Sequence, residues 1–187
     1  MTIRTPLQPI TTELYRQLPE GPPYYQLIEG NLILSPSANF FHQKIVGRLY
    51  HYIEAYLEEH PVGEAVIAPS DVFLDEINVF QPDLYFVKNE NRQVLAYEGV
   101  KGAPDLVVEV LSPSTSSRDR NEKRRVYART GVGEMWIVDP EERLVEVHFL
   151  ARGLNAVPTT IREPELFSPA LFPGPTIETA RLFRRTI

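Results

Sequence analysis

The sequence predicts an α/β (α+β) fold in which a mixed β-sheet is flanked by helices. The first observation is a strand–helix–strand pattern over residues 105–139, which is typical of a parallel crossover. The second is an amphipathic pattern over residues 37–59, where apolar side chains recur every three or four positions. The third is a group of short apolar runs joined by connections too short for a parallel crossover, which indicates antiparallel neighbours.

The N-terminal part of the chain is expected to form three elements. Residues 12–17 have the pattern of a short helix. Residues 24–35 contain two apolar runs around a Glu-Gly-Asn turn, and they indicate a β-hairpin because glycine and asparagine tolerate positive φ. The first long helix is expected over residues 37–59, with apolar residues along one face.

The rest of the predicted sheet follows this helix. Short strands are expected at the segments 64–69, 71–75 and 83–87, and a helical turn is expected within the polar stretch 91–97. The crossover and its hairpin partner then consist of a buried strand at 105–111, a helix over 116–130, a second buried strand at 134–140 and an alternating strand at 144–150.

Length and composition limit the class of protein. A chain of 187 residues is expected to form a single domain over 1–187, with its core at about 24–150 and a proline-rich peripheral arm at 151–187. A net charge of −6 weighs against a nucleic-acid coat protein but is compatible with a local basic face. The absence of cysteine excludes disulfides and thiolate metal sites. No segment has the apolar length of a signal or membrane span, so we expect a cytoplasmic protein with no membrane partner.

Two carboxylates are expected to meet at one end of the sheet. Asp83 begins one strand and Glu109 lies late in the next buried strand, so antiparallel pairing would place them side by side, with Asp105 at the far end. Converging carboxylates repel each other unless a cation lies between them, and a hard divalent ion suits oxygen ligands. The alternative is that Asp83 caps its strand and Glu109 pairs with a buried arginine or lysine. For Asp105 we expect only a turn.

The helix over 116–130 is expected to bring a lysine to the same place. Asp119, Lys123, Val126 and Tyr127 are spaced to share one helical face. Since Val126 and Tyr127 should pack on the sheet, Lys123 should point towards Glu109, where an ammonium group could stabilise developing phosphate charge. Its ordinary role would be an ion pair with Asp119, worth about a few tenths of a kcal/mol. Asp119 is therefore a candidate supporting residue, and Tyr127 is expected to belong to the core.

Taken together, these motifs resemble the Uma-type family of putative restriction endonucleases, which lies within the PD-(D/E)XK nuclease superfamily. The resemblance extends from about residue 24 to residue 150. It depends on Pro-Asp-Leu at 82–84, Glu-Val-Leu-Ser-Pro-Ser-Thr at 109–115, Asp119, Lys123, Tyr127 and the run Gly-Val-Gly-Glu-Met-Trp-Ile-Val-Asp-Pro at 131–140.

The resemblance implies a restriction-endonuclease-like fold and metal-dependent hydrolysis of phosphodiester bonds. It implies that Asp83 and Glu109 are metal-binding acids, that the backbone carbonyl of Val110 is a further metal ligand, and that Asp83, Glu109 and Lys123 are catalytic. Mg²⁺ is the implied cofactor, for which Mn²⁺ can substitute, and DNA is the implied substrate. A homodimer is expected because two-fold symmetry suits the cutting of two strands.

The sequence departs from the family pattern at two positions. Leu111 stands where the superfamily has a lysine, and we expect Lys123 to take the place of that missing group. Gln26 stands where the family often has Glu, with Glu29 as a candidate substitute. Gln26, Glu29 and His42 are thus candidate supporting residues. For His42, which matches the family pattern but lies on the apolar stripe of its helix, a core position is the preferred interpretation over contact with the site.

Three functions are compatible with these patterns. The first is a divalent-metal-dependent endonuclease acting on DNA. The second is a catalytically inactive nuclease-like module that binds DNA or regulates a partner, and the departures at Gln26 and Leu111 favour it. The third is a metal-dependent hydrolase of RNA or a nucleotide. No DNA-reading motif is recognisable, so the sequence predicts no target site.

Overall fold

Two six-stranded sheets and the helices around them form the body of the protein. The computed structural model describes residues 9–19, 21–113, 116–174 and 176–185. The strands are β1 (Tyr25–Ile28), β2 (Asn31–Leu34), β3 (Gly63–Ile67), β4 (Asp71–Asp75), β5 (Asn78–Phe80), β6 (Leu84–Lys88), β7 (Leu95–Ala96), β8 (Gly99–Lys101), β9 (Leu106–Val110), β10 (Glu134–Asp139), β11 (Leu144–Phe149), β12 (Thr159–Arg162), β13 (Leu166–Phe167) and β14 (Ile177–Glu178).

The helices before residue 131 occur at the expected places, whereas the last helix lies in the segment 151–187, for which no helix was predicted. They are α1 (Thr12–Tyr15), α2 (Phe40–Glu59), α3 (Ser116–Arg118), α4 (Arg124–Thr130) and α5 (Thr179–Leu182), with a π-turn at Asp119–Lys123 that joins α3 to α4. The helical turn expected at 91–97 is a 3₁₀ helix at Asn89–Val94. Within the described ranges, no helix combines the length and apolarity needed to span a bilayer.

The central sheet has the order β12-β11-β10-β9-β6-β3. Strands β9 and β10 are parallel, as the crossover pattern predicts, and the other neighbours in this sheet are antiparallel. The first sheet has the order β2-β1-β5-β4-β8-β7 and begins with the predicted hairpin. The α+β class with mixed sheets is therefore confirmed. The expectation of one sheet is replaced by two six-stranded sheets and a two-stranded pair of β13 and β14 among the described residues.

One face of the central sheet packs against α2. The predicted apolar stripe of this helix is buried, from Ile45 to Leu57, and its residues share a core cluster with Trp136 of β10. A second cluster lies on the opposite face, where Tyr127 of α4 packs edge-to-face with Phe80 of the first sheet, at 5.2 Å between ring centroids. The central sheet is therefore covered on both faces, so the groups that α4 directs towards it are removed from water.

The C-terminal segment contradicts the expectation of a peripheral arm. Strand β12 pairs with β11 and extends the central sheet. The described residues of this segment also supply six buried core residues, which are Ile161, Phe167, Phe172, Ile177, Leu182 and Phe183. Prolines interrupt the chain between Ile161 and Ile177, so no helical or strand period emerges there and the sequence pattern does not reveal this burial.

A buried carboxyl group in this core gives stability a pH dependence. Glu134 accepts a hydrogen bond from the indole nitrogen of Trp136 at 2.5 Å, and burial raises the pKa of Glu134 above its ordinary value. Because the pKa of Glu134 is higher in the folded protein than in the unfolded chain, protonation of Glu134 stabilises the fold. This stabilisation is complete at acid pH and is lost as the pH rises past the pKa of the folded state. We therefore expect Glu134→Gln, which keeps an acceptor for Trp136, to gain stability relative to the wild type as pH rises.

Urea unfolding of both proteins at pH 5 and pH 8 measures this difference. Glu141→Gln, at an exposed carboxylate, is the matched control and should show no pH-dependent difference. A Glu134→Gln variant whose difference from the wild type is the same at both pH values would contradict the prediction.

Candidate active site

Strand pairing brings the two predicted acids to one end of the central sheet. Leu84 of β6 is paired with Val108 of β9 in antiparallel register, so Asp83 lies beside the C-terminal end of β9. The backbone N–H of Val110 donates to Asp83 Oδ2 at 2.7 Å. The expected juxtaposition of Asp83 with the Glu109–Val110 segment is therefore present.

Asp105 lies at the opposite end of this strand pair and has a structural role. Its carboxylate accepts from the backbone N–H of Lys88 and from the side-chain amide of Asn91, both at 2.8 Å. These bonds fix the chain where β6 ends and the 3₁₀ helix begins. The tripeptide Pro-Asp-Leu occurs at 82–84 and again at 104–106, and its two aspartates thus have different surroundings.

Glu109 is held by donors from the helical segment opposite. Only 3% of the residue is exposed, and Lys123 Nζ donates to both of its carboxylate oxygens at 3.0 Å. The hydroxyl of Tyr127 donates to Oε1 at 2.7 Å. Tyr127 therefore lies in the core as expected but also contacts the acid, a role that the sequence interpretation missed. Tyr127 lies four residues after Lys123 on the same helical face, and this spacing could have indicated its contact with Glu109.

Lys123 is placed inward by the π-turn. Its Nζ lies 3.2 Å from Asp119 Oδ1, and the two residues are 4% and 2% exposed. A π-turn adds a residue to one turn of the helix, and such turns are frequent at functional sites. Lys123 points towards Glu109, as expected. Leu111, which stands where the superfamily has a lysine, is buried among apolar neighbours.

The charges of the buried cluster are not balanced. Three carboxylates, from Asp83, Glu109 and Asp119, surround the one ammonium of Lys123. Burial is the largest cause that raises the pKa of Glu109. Lys123 and Tyr127 lower it and Asp119 and Asp83 raise it, and the resulting pKa is about 8. For Lys123, desolvation opposes the charged form, but Glu109 and Asp119 outweigh it and raise the pKa. The cluster therefore favours additional positive charge, from a proton or from a cation.

His42 reaches the site, contrary to the preferred interpretation. Its Nε2 lies 3.0 Å from Asp83 Oδ1, and its Nδ1 is buried without a hydrogen-bond partner among the described residues. Asn39 caps α2 by accepting from the backbone N–H of His42 at 2.8 Å. The apolar stripe of α2 begins beside the start of β6, so a residue on that stripe contacts the acid as well as the core.

The other two candidate supporting residues are not brought into the cluster. Gln26 accepts from the backbone N–H of Gln81 at 3.1 Å and donates to Ser35 Oγ at 3.2 Å, within the first sheet. Glu29 lies at the hairpin turn with a φ of 48°, and its carboxylate is 3.6 Å from Arg129. Glu29, the candidate substitute for the family's Glu, is directed by the hairpin turn towards Arg129 of α4.

The donor set can be tested against the divalent ion that the resemblance implies. Across the described residues, no three His, Asp or Glu side chains converge in a way that could hold a metal ion by themselves. Asp83 and Glu109 supply two carboxylates with lone pairs beyond those used by their present donors, since a carboxylate can accept about four hydrogen bonds. Two carboxylates and a backbone carbonyl, completed by water, form a set that suits Mg²⁺, and the excess negative charge favours it.

A cleft of about 630 Å³ opens beside this cluster. It lies between the N-terminal turn of α2 and the segments that follow β9 and β10. Its lining includes Phe40, His42, Lys44, Ser112, Ser116 and Asp139. His42 lines the cleft and contacts Asp83, whose side chain is 21% exposed. Residues 114 and 115 of the quoted Ser-Pro-Ser-Thr run lie outside the described residues.

Comparisons with known proteins agree with the resemblance seen in the motifs. The Uma2 family model, described as "Putative restriction endonuclease", matches residues 12–180. The fold is similar to the crystal structure of a putative nuclease belonging to DUF820 from Anabaena variabilis ATCC 29413. The TM-score is 0.77 and the identity 23%, over 94% of this chain and 98% of that one, so this likeness confirms the restriction-endonuclease-like fold alone. Among curated proteins, none matches the chain.

Proposed function

Because the chain belongs to the Uma2 family of putative restriction endonucleases, we propose that it is a divalent-metal-dependent endonuclease that hydrolyses phosphodiester bonds of DNA. The observation that supports this most is the buried Glu109–Lys123 pair next to Asp83, at the end of a cleft. A net-negative cluster with a single ammonium is costly in a core that serves only stability. It suits a site that binds a cation and then an anionic substrate.

The residues have separate roles in this proposal. Asp83, Glu109 and the carbonyl of Val110 hold Mg²⁺ or Mn²⁺. The bound ion supplies charge neutralisation and lowers the pKa of water. Lys123 orients the attacking water or stabilises the negative charge that develops on the phosphate as the P–O bond to the leaving group breaks.

Two neighbours keep the acids in place. Tyr127 donates to Glu109 and fixes the orientation of its carboxylate. His42 contacts Asp83 and lies at the cleft, so it shields one oxygen of that acid from solvent. Such support matters because small displacements of catalytic groups reduce rates strongly. Two copies of the chain acting as a homodimer would allow both strands of a duplex to be cut.

One observation favours a second candidate, a catalytically inactive nuclease-like module that binds DNA. Both oxygens of Glu109 already accept hydrogen bonds from Lys123, and one also accepts from Tyr127. An ion bound by Glu109 must therefore share or displace these donors. In the inactive module the pair is permanent and only the surface contacts nucleic acid.

Metal binding distinguishes the two candidates. We expect the wild type to bind Mn²⁺ in isothermal titration calorimetry and Asp83→Asn to lose that binding, because the variant removes one of two carboxylate ligands. Asp105→Asn is the matched control, since Asp105 lies at the opposite end of the same pair of strands and should leave Mn²⁺ binding intact.

A cleavage assay with Mn²⁺ completes the test. Duplex DNA, single-stranded DNA and RNA are incubated with the wild type and with both variants. Cleavage of DNA that is lost only in Asp83→Asn supports the endonuclease. Cleavage confined to RNA would replace the DNA substrate, and Mn²⁺ binding that is equal in all three proteins, with no cleavage, would favour the inactive module.

A further inference from the structure

A second cavity of about 420 Å³ lies along α2 and beside α5. We call it the basic groove, and its charged lining consists of Lys44, Arg48, His51, Arg181 and Arg184. Four of these are permanent cations, and no acidic side chain is among the described residues that line it. In a chain with a net charge of −6, this is a local concentration of positive charge.

The arrangement of the groove follows from the helix period. Lys44, Arg48 and His51 are four and three residues apart, so they lie on one face of α2. Arg48 Nη1 donates to the carbonyl oxygens of Leu182 and Arg184 at 2.7 and 2.8 Å, which holds the C-terminal helix against α2. Burial and the charge of Arg184 lower the pKa of Arg48, as expected where cations are brought together.

The acid beside Arg181 neutralises little of the charge of this arginine. Arg181 lies 3.6 Å from Glu178, and both side chains are at least half exposed, with 66% and 50% accessible. Ion pairs this exposed contribute little, typically less than about 1 kcal/mol, and they exchange readily for other partners. Arg181 is therefore available to an anionic ligand.

The floor of the groove contains a glycine that packing does not explain. Gly47 lies inside α2, where glycine costs about 0.5–1 kcal/mol relative to alanine. A Cβ built at this position would meet nothing within 4 Å, so no neighbour requires its absence. A helix backbone left bare in this way allows a ligand to approach closely.

The basic groove adjoins the cleft of the candidate site. Lys44 lines both cavities, and His42, two residues earlier, contacts Asp83. From Lys44 to His51 the groove extends about 10 Å along the helix axis. One strand of a nucleic acid duplex presents about three phosphates over that length.

We propose that the basic groove binds the phosphodiester backbone of a nucleic acid and directs that strand into the cleft. This inference deepens the proposed function, since it assigns the surface that holds the same class of substrate, but binding in the groove requires no cleavage. The recognition is electrostatic and independent of base sequence, because the groove offers cations and a bare helix backbone to the phosphates.

Salt dependence of binding tests the inference. Fluorescence anisotropy measures the affinity of a labelled DNA duplex for the wild-type protein in EDTA, where the metal-dependent reaction is stopped. For Lys44→Gln/Arg181→Gln we expect affinity to fall by about tenfold at moderate salt. The slope of log K against log salt should fall by about 2, because each lost phosphate contact removes about 0.9. Lys101→Gln, at an exposed lysine of the first sheet, is the control and should retain the wild-type slope.

Gly47→Gln separates the shape of the groove from its charge. This variant adds a side chain to the groove floor with no change in charge, and it should weaken binding while the melting temperature stays at or above that of the wild type. Three results would overturn the inference. They are an unchanged salt slope in Lys44→Gln/Arg181→Gln, an equal loss of affinity in Lys101→Gln, and a wild type that binds no nucleic acid. Groove-dependent binding by a protein that never cleaves would support the groove and refute the endonuclease. DNA cleavage that the groove variants leave unchanged would support the endonuclease and refute the groove.

Discussion

Replacing Lys123 with methionine is expected to abolish DNA cleavage and to destabilise the fold by about 3–5 kcal/mol. Methionine keeps the length and apolar stem of lysine but removes the one ammonium from a cluster of three carboxylates. Glu109 then lies buried beside Asp119 without a counter-ion, and an uncompensated buried charge costs several kcal/mol. The same change removes the group that stabilises charge on the phosphate.

A second substitution separates the two effects. In Lys123→Met/Glu109→Gln only Asp119 keeps a buried carboxylate that has lost its ion pair with Lys123, so part of the lost stability should return while cleavage stays absent. Urea unfolding measures the stability of both variants and a plasmid nicking assay with Mn²⁺ measures cleavage. Lys101→Met, at an exposed lysine paired with Glu98, is the matched control and should change stability by less than about 0.5 kcal/mol. Unchanged cleavage in Lys123→Met would contradict the proposed role of this lysine.

Truncating Phe172 to alanine is expected to cost about 3–5 kcal/mol of unfolding free energy, although this residue lies in the proline-rich C-terminal segment. Its ring packs edge-to-face with Phe86, Tyr56 and Trp136, at centroid distances of 5.0, 5.7 and 6.2 Å. Phe172 is 2% exposed, so the variant leaves a cavity in the core between α2 and the central sheet.

The matched control for Phe172 lies in the same segment. Leu166 is 65% exposed, and Leu166→Ala should change stability by less than about 0.5 kcal/mol. Urea unfolding monitored by the fluorescence of the single tryptophan, Trp136, reports directly on the affected core. Equal and small effects of the two substitutions would mean that the C-terminal segment is peripheral after all.

The sequence predicted the elements that have a period or a continuous apolar run and missed those that have neither. The stripe of α2 has a helical period, the parallel strands β9 and β10 are continuous apolar runs, and the structure contains them. Strands β5 and β8 are three residues long, too short for a pattern to emerge, and these two strands are needed for the first sheet to form. The C-terminal segment packs through isolated aromatic residues between prolines, and only tertiary structure reveals such contacts.

The candidate site was predictable to the extent that strand pairing and helix spacing determine it. Asp83 and Glu109 follow from antiparallel register, and Lys123 follows from its position relative to Tyr127. The contact of His42 with Asp83 depends on where the first turn of α2 crosses the sheet, which no local pattern encodes. The basic groove was equally hidden, because its arginines come from two helices more than a hundred residues apart.

The π-turn at Asp119–Lys123 determines the direction that α3, the turn before it, faces relative to α4. One added residue changes the phase of a helix by about 100°, since an α-helix has 3.6 residues per turn. Ser116, which lines the cleft, precedes the added residue, whereas Tyr127, which holds Glu109, follows it. A relative lacking that one residue could keep its helix, its sheet and its core, yet its first turn would be rotated away from the cleft. The substrate-facing side of this helix can therefore change through a single insertion or deletion while the acid-binding side stays in phase with the sheet.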